Sequence, residues 1–449
     1  MKIAYITAGA AGMYCGTCLH DNTLAAALME RGHEVSLTPT YTPTRTDEAN
    51  VANDRIFFGA INVYLQQKLK LFRRTPRFVD RLLDNRRLLN WVSRFSGSTD
   101  AHDLGSLTLS MLEGEEGAQV KELDKLVEWL EEILQPDVVH LSHTLFCGFA
   151  RRIKERLGVP VVASLQGEDL FFDDLEEPWY SRVREVLLDR SRDIDAFVSP
   201  TRYYAETMAA EYGIPAERIH RLRMGIKASD FADLARQHDG DSQDDTVVIG
   251  YLARFCPEKG VQVLLDAFEQ LASEPDGGRL RLRIAGYLGE KDRSFFEQQQ
   301  ARIADSPMAD RVELVGEVDR QGKMDFLRSL DVFTLPTVYR EPKGLSVLEA
   351  MASGLPVVQP AHGSFPEMVE DTGGGILVEP CSPRALAQGL RQLIDDPSQR
   401  RELGAAGRRA VLERYDEGTM AEETLDLYRS LLTPAQATTP EVEPIRIAG

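Results

Sequence analysis

Residues 337–358 read TVYREPKGLSVLEAMASGLPVV, and this stretch decides the fold of the half of the chain that holds it. The apolar run Val332–Leu335 before it reads as a strand. An acidic loop bearing Pro342 and Gly344 follows, then an apolar helical pattern over 347–353 that Gly354 ends, and Val357–Val358 opens another strand. Strand, loop, helix and strand in so short a span is the grammar of a parallel α/β sheet with covered faces. Ser346 reads as an N-cap, and Glu349 three residues later completes a capping box. The plain reading of Glu349 is therefore a cap, and of Glu341 a solvated loop acid. The functional reading starts from the helix N-terminus. The amides of Gly344, Leu345 and Ser346 would face a strand end and receive phosphate oxygens. A carboxylate beside them accepts hydrogen bonds from ribose or sugar hydroxyls, which phosphate cannot donate.

Upstream, GYLARFCPEKG at 250–260 repeats the arrangement. A strand ends at Leu252, and Arg254 and Lys259 leave the loop just before a helix over 261–272. Alone these cations are surface decoration or a phosphate clamp. With the 337–358 loop they make two strand-end, helix-start sites converging on one anion. Arg offers a fork to phosphate oxygens, and Lys a point charge that can approach a leaving group. Further strands are expected at Val247–Tyr251, Leu282–Ala285 and Val312–Val315, and a further helix at 383–395.

The polar run RQHDGDSQDDT at 236–246 separates this half from an earlier one with the same alternation. There the strand candidates are residues 2–8, 33–37, Val138–Leu141, Val161–Leu165 and Ala196–Ser199. The expected organisation is a first Rossmann-like domain at 1–225, carrying an insert near 45–115, and a second at 226–434. The segment 409–431 is expected to pack back on the first domain, and 435–449 reads as a tail without periodicity. Open α/β sheets bind ligands beyond the carboxyl ends of their strands, so an active site in a cleft between the domains is the expectation.

In the first half, GAAGMYCG at 9–16 fits neither the dinucleotide fingerprint nor the Walker pattern. Its glycines, Gly12 among them, would let a substrate approach the backbone closely. Cys15 and Cys18 form a CxxC at a helix start, which reads as small residues in a tight loop in preference to redox or metal chemistry. PDVVHLSHTLFCG at 136–148 sets His140 at a strand end, where it reads as packed, and His143 beyond it, free to reach a substrate. Gln166, Glu168 and Asp169 in SLQGEDLFF are further candidates for acceptor hydroxyls.

Composition bounds the rest. A chain of 449 residues exceeds one ordinary core. The five cysteines do not read as a disulfide framework, and no apolar run is long enough to span a membrane. The N-terminus lacks a signal-peptide pattern, so the expected location is cytoplasmic. A formal charge of −19 argues against a general nucleic-acid binder. Between Lys68 and Arg94 stand nine Lys or Arg against two Asp, mixed with Leu, Phe and Trp. The preferred reading of 68–94 is a helical insert packed on the first domain; the other is peripheral contact with an anionic membrane that presents a lipid-linked acceptor.

In order along the chain stand GAAGMYCG, PDVVHLSH, RMGIKASDF at 223–231, RFCPEKG, Glu341 and Glu349 within EPKGLSVLEAMASGLPVV, and GSFPEMVEDTGGGILVEP. This set resembles the retaining GT-B glycosyltransferases of family 4 over nearly the whole chain. The resemblance implies an α/β fold of two Rossmann-like domains facing each other across a cleft. It implies a nucleotide-diphosphate-sugar as donor substrate, no cofactor, no bound metal, and a glycan, lipid-linked or small-molecule acceptor. Arg254 and Lys259 would contact the donor diphosphate, Glu349 the ribose, and the Leu345 and Ser346 amides the phosphates. Glu341 would lie close to the transferred sugar, and His143 near the substrates. Departures from the family pattern are Ser142 before His143, Gln166 for a common histidine, Lys343 for a common aromatic, and Ser364 for the second glycine after His362. The rival readings are a nucleotide-sugar epimerase or sugar-phosphate synthase on the same plan, and a catalytically inactive nucleotide-sugar-binding protein. The oligomeric state, base, sugar and linkage are not encoded in these motifs.

Overall fold

The computed structural model describes residues 1–9, 15–59, 63, 66, 67, 101–232 and 245–433. Gly12, the basic segment 68–94 and the tail 435–449 therefore lie outside the described residues. The chain divides into two compact units. One runs from Met1 to Arg223 and takes in the helix that follows Gly418; the other is Met224–Glu417.

The first unit is built on a six-stranded sheet of β1 (Lys2–Thr7), β2 (Glu34–Pro39), β3 (Val138–Leu141), β4 (Val161–Ser164), β5 (Ala196–Ser199) and β6 (Ile219–Arg221). The order is β2-β1-β3-β4-β5-β6, and every pairing is parallel. The strands are short and β-branched, and alternate side chains face opposite layers, as the pleat requires. Ile3, Tyr5, Val138, Val162 and Ala196 pack on one face with the helix Gly16–Glu30. Ala4, Ile6, Val139, Leu141, Val161, Ala163 and Phe197 pack on the other. That second face is closed partly by the end of the long insert, where Leu109 and Leu112 of the helix Ala101–Glu113 are buried.

The second unit repeats the plan with β7 (Val247–Leu252), β8 (Leu280–Ala285), β9 (Val312–Gly316), β10 (Val332–Thr334), β11 (Val357–Pro360) and β12 (Gly375–Val378). Its order is β12-β11-β10-β7-β8-β9, again all parallel. Both units are Rossmann-like α/β folds, the pair of domains that defines GT-B. In each the winding reverses once, between β1 and β3 in the first unit and between β7 and β10 in the second. At such a switch point neighbouring strands send their following loops to opposite sides, which opens a crevice at their carboxyl ends.

Two expectations need correction. The segment 409–431 is not one element. The helix Pro397–Arg414 belongs to the second unit, and a break at Tyr415–Asp416 precedes the helix Glu417–Leu432. Only that last helix joins the first unit, where Met420, Leu425 and Tyr428 are buried beside Ile3, Tyr5 and Leu24. The break is held by a backbone ladder, Ile226 N–H to Tyr415 O at 2.8 Å and Glu417 N–H to Ile226 O at 2.9 Å. The second correction concerns Ser346. The helix Leu345–Ala352 starts two residues earlier, with Gly344 as its N-cap at φ 71° and no side-chain cap bond. Gly344 fits because the left-handed turn disfavours a side chain, and a Cβ there would meet Met368 Cε at 2.8 Å. Glu349 consequently has no capping role.

Candidate functional site

The strand order decides which loops meet. β7 and β10 are hydrogen-bonded neighbours at the switch point, so the loops that leave their carboxyl ends run side by side. The amide of Val338 donates to Glu258 O at 2.9 Å, tying the two loops together. Gly260, at φ 76°, allows their closest approach: a Cβ there would lie 1.8 Å from Pro336 O. The next strand, β11, adds a third loop. Ser364 N–H donates to Glu341 O at 2.8 Å, and a Cβ on Gly363 would strike the Glu341 backbone at 2.6 Å.

Lys259 and Glu341 meet at this junction. Lys259 Nζ donates to Glu341 Oε2 at 2.5 Å and to the Tyr339 hydroxyl at 2.7 Å, and it stands 4.9 Å from the Tyr339 ring centre. Tyr339 in turn donates to the same carboxylate oxygen. Oε1 receives the amides of Lys343 and Gly344, both at 3.3 Å. Glu341 is only 4% exposed, which removes the solvated-loop reading. Burial alone would raise its pKa. The Lys259 ammonium, the Tyr339 hydroxyl and the Gly344 amide outweigh that and hold it down to about 2. An ammonium has three donors. Two are engaged here, by Glu341 and Tyr339. Beside the carboxylate, the first-turn amides of Leu345 and Ser346 have no intrahelical acceptor. The junction thus offers an anion both a cation and a helix N-terminus.

Glu349 lies one turn into the same helix, also 4% exposed. Its partner is Lys323, whose Nζ is 2.5 Å from Oε1, with Arg320 Nη1 at 3.6 Å from the same oxygen. Each of the two glutamates therefore has its own lysine, drawn from a different strand-end segment. Lys323 and Arg320 carry no motif that would single them out, and nothing in the sequence links them to Glu349 across the sheet. Arg254 shares the loop of Lys259 but faces other groups. Its Nε lies 3.3 Å from Cys256 Sγ, and Glu258 and Asp292 are each 4.0 Å away.

In the first unit, His143 follows β3 and begins the short 3-10 segment Thr144–Phe149, its ring stacked on Phe146 with centroids 4.2 Å apart. His140 is packed on the strand. Its Nδ1 is 2.5 Å from the Tyr428 hydroxyl and its Nε2 2.7 Å from Ser164 Oγ. Burial, with a smaller contribution from His20, lowers its pKa to about 3, so the ring is neutral near pH 7. Gln166 donates to Asp21 Oδ1 at 2.8 Å and to Ser142 O at 3.0 Å. Both Glu168 oxygens are engaged, by the Thr144 amide and hydroxyl on one side and the Gln166 amide and Tyr204 hydroxyl on the other. Asp169 also accepts from Tyr204, at 2.9 Å, and burial raises its pKa to about 6. Cys15 is the N-cap of the helix Gly16–Glu30, and all five cysteines are unbridged. Among the described residues no group of three or more His, Cys, Asp or Glu is placed to hold a metal ion, and no helix is long and apolar enough to cross a membrane.

Comparisons with known proteins agree with this division. The family of glycosyl transferases group 1 matches residues 235–410, and the glycosyl transferase 4-like domain matches 21–225. A D-inositol 3-phosphate glycosyltransferase of Xylanimonas cellulosilytica is 30% identical over 318 residues, 67% of this chain and 72% of that protein. A mannosylfructose-phosphate synthase of Agrobacterium fabrum is 26% identical over 310 residues, 68% of this chain and 62% of the relative. A phosphatidyl-myo-inositol mannosyltransferase of Mycobacterium tuberculosis is 32% identical over 213 residues, 46% of this chain and 53% of the relative. Over these last two the chain spans less than two thirds of the relative's length. Among solved structures, sucrose-phosphate synthase from Thermosynechococcus elongatus superposes with a TM-score of 0.68 at 18% identity, covering 96% of this chain and 98% of that one. Anabaena HepE in complex with UDP and glucose superposes at 0.64 and 16% identity, covering 96% and 100%.

Proposed function

The chain belongs to the group 1 glycosyl transferases with a glycosyl transferase 4-like first domain, and from that premise we propose that it moves a sugar from a nucleotide-diphosphate-sugar to an acceptor hydroxyl with retention of anomeric configuration. The observation that carries this reading is the Lys259–Glu341 pair, held at 2.5 Å between two strand-end loops and beside the start of the helix Leu345–Ala352. A diphosphate placed against Lys259 and the Leu345 and Ser346 amides meets a cation and unpaired backbone donors at once. Arg254, in the same loop, is a second cation for the diphosphate. Glu349 accepts from the ribose hydroxyls and Glu341 from the sugar.

In this scheme the bond from the anomeric carbon to the diphosphate oxygen breaks as negative charge builds on the departing nucleotide. Lys259 and the helix N-terminus stabilise that charge, where preorganised donors contribute most. The leaving diphosphate takes the acceptor proton, so Glu341 positions the sugar and is not a covalent nucleophile. The scheme uses no metal. His143 reaches the reacting substrates, Gly12 of the glycine loop lets the donor approach the backbone, and the protein acts in the cytoplasm on a glycan, lipid-linked or small-molecule acceptor.

The test is a panel of UDP-, GDP- and ADP-sugars with a panel of acceptors, products being identified by mass spectrometry and anomeric configuration by proton NMR. A glycoside with the donor's configuration is expected. An inverted product, or an isomerised nucleotide-sugar with no transfer, would overturn the reading, the latter in favour of an epimerase.

A further inference from the structure

Lys323 stands on the helix Arg320–Arg328 after β9, whose N-cap Asp319 accepts from the Gly322 amide at 2.8 Å. Lysine on such a helix ordinarily reaches solvent. Here it is 6% exposed, on the same buried side as Met324, Phe326 and Leu327. Its ammonium ends 2.5 Å from Glu349 Oε1. A buried lysine is costly unless an anion compensates it, and a buried glutamate likewise. In this pair each charge offsets part of the cost of burying the other.

Arg320, one turn earlier, approaches the same oxygen at 3.6 Å. It is itself fixed by Asp230, which accepts from Nε at 2.9 Å and faces Nη2 at 2.7 Å, and it lies 5.6 Å from the Phe231 ring centre. Both cations converge on Oε1. Neither contact uses Glu349 Oε2. A carboxylate gripped by one oxygen has its plane fixed and its charge maintained, while its other oxygen can accept a hydroxyl.

We propose that Lys323 is a positioning residue, which fixes the Glu349 carboxylate so that Oε2 receives the ribose hydroxyls of the donor nucleotide. This rests on the donor-site reading above and adds a residue that contacts neither the diphosphate nor the sugar. It predicts that the preference for a ribose with free hydroxyls depends on Lys323 as much as on Glu349.

The experiment is calorimetric titration of the full chain with UDP, GDP and ADP and with their 2′,3′-dideoxy counterparts. Wild type, Glu349→Gln, Lys323→Met, Lys323→Gln and Lys323→Arg are compared, and thermal unfolding shows which variants are folded. For the nucleotide that wild type binds, loss of the ribose hydroxyls should weaken binding by about tenfold or more, the size of a hydrogen bond to a charged acceptor. In Lys323→Met that ratio should fall to the value shown by Glu349→Gln, and Lys323→Arg should restore part of it. Lys323→Gln, which leaves no bare aliphatic end, carries the test if Lys323→Met does not fold. In turnover the change should appear in donor KM, with kcat retained. A wild-type ribose-to-dideoxy ratio in folded Lys323→Met or Lys323→Gln, with that ratio lost in Glu349→Gln, would overturn the proposal. So would a loss confined to one base and equal for both sugars, which would make Lys323 a reader of the base. Failure of wild type to bind any of the three diphosphates sinks the donor-site reading and this inference with it.

Discussion

The two sheets share a winding, a parallel register and a switch point, yet the side chains at their strand ends are spent differently. In the first unit the polar groups near the switch point bond one another. Asp21 accepts from Tyr5, Thr7 and Gln166, His140 spans Tyr428 and Ser164, and Glu168 is bonded through both oxygens. In the second unit the charged groups pair but keep capacity. Lys259 is part-exposed and Arg254 more so; Glu349 is held by Lys323 on Oε1, while Glu341 takes Lys259 and Tyr339 on one oxygen and two loop amides on the other. The same architecture thus builds a bonded polar cluster in one domain and, in the other, the junction proposed to hold the diphosphate. What separates them is not the fold but whether a strand-end loop carries a cation next to a helix N-terminus.

The comparison breaks most easily at Lys259. Lys259→Ala should lower turnover at saturating donor by about a hundredfold or more, the usual cost of removing one preorganised donor from developing charge. Steady-state kinetics beside a thermal melt separates this from misfolding. Glu341→Gln keeps the shape of the loop but removes the charge that Lys259 and Tyr339 bind, and should cost about tenfold to a hundredfold in kcat. Glu349→Gln should raise donor KM by about tenfold with little change in kcat.

Acidity sharpens the same contrast. The folded-state pKa of Glu341 lies near 2 against an ordinary 4.5. Its stabilising contribution is therefore complete above the ordinary value and is lost as pH falls towards 2. Wild-type turnover should show no acid limb from this group at pH 5 and above. Lys259→Met leaves burial acting without the cation, so the carboxyl pKa should rise and the acid limb of any residual activity should move up with it. A pH–rate profile of the two proteins checks the direction. The smallest effect on chemistry is expected from the first unit. His140→Ala leaves Ser164 and Tyr428 without their buried partner and should cost about 2 kcal/mol of stability. The folded fraction should keep its kcat.

Much of the fold could be read from short apolar runs closed by glycine, because parallel strands buried on both faces are continuous in sequence. β6 and β12 escaped that reading for physical reasons. Ile219–Arg221 is a three-residue edge strand with two polar positions, and Gly375–Val378 begins on glycine. The capping box at Ser346 and Glu349 matched a local pattern, but the left-handed Gly344 starts the helix earlier and Glu349 is claimed by Lys323. Local rules supplied Lys259 and Glu341 as candidates. Their contact at 82 residues' separation follows only from the adjacency of β7 and β10. The His140–Tyr428 bond, across 288 residues, has no local signal at all.

The central claim is that the β7–β10 junction holds the diphosphate of a nucleotide-sugar and that Lys259 stabilises its departure. The most direct measurement is release of nucleoside diphosphate from sugar-labelled UDP-, GDP- and ADP-donors, followed in parallel for wild type and for Lys259→Ala shown to be folded. The account predicts that wild type discharges at least one donor, with the label on an acceptor or on water. It also predicts that Lys259→Ala is slower by about two orders of magnitude at saturating donor. Equal rates in the two proteins, or no discharge of any donor by wild type, would contradict it.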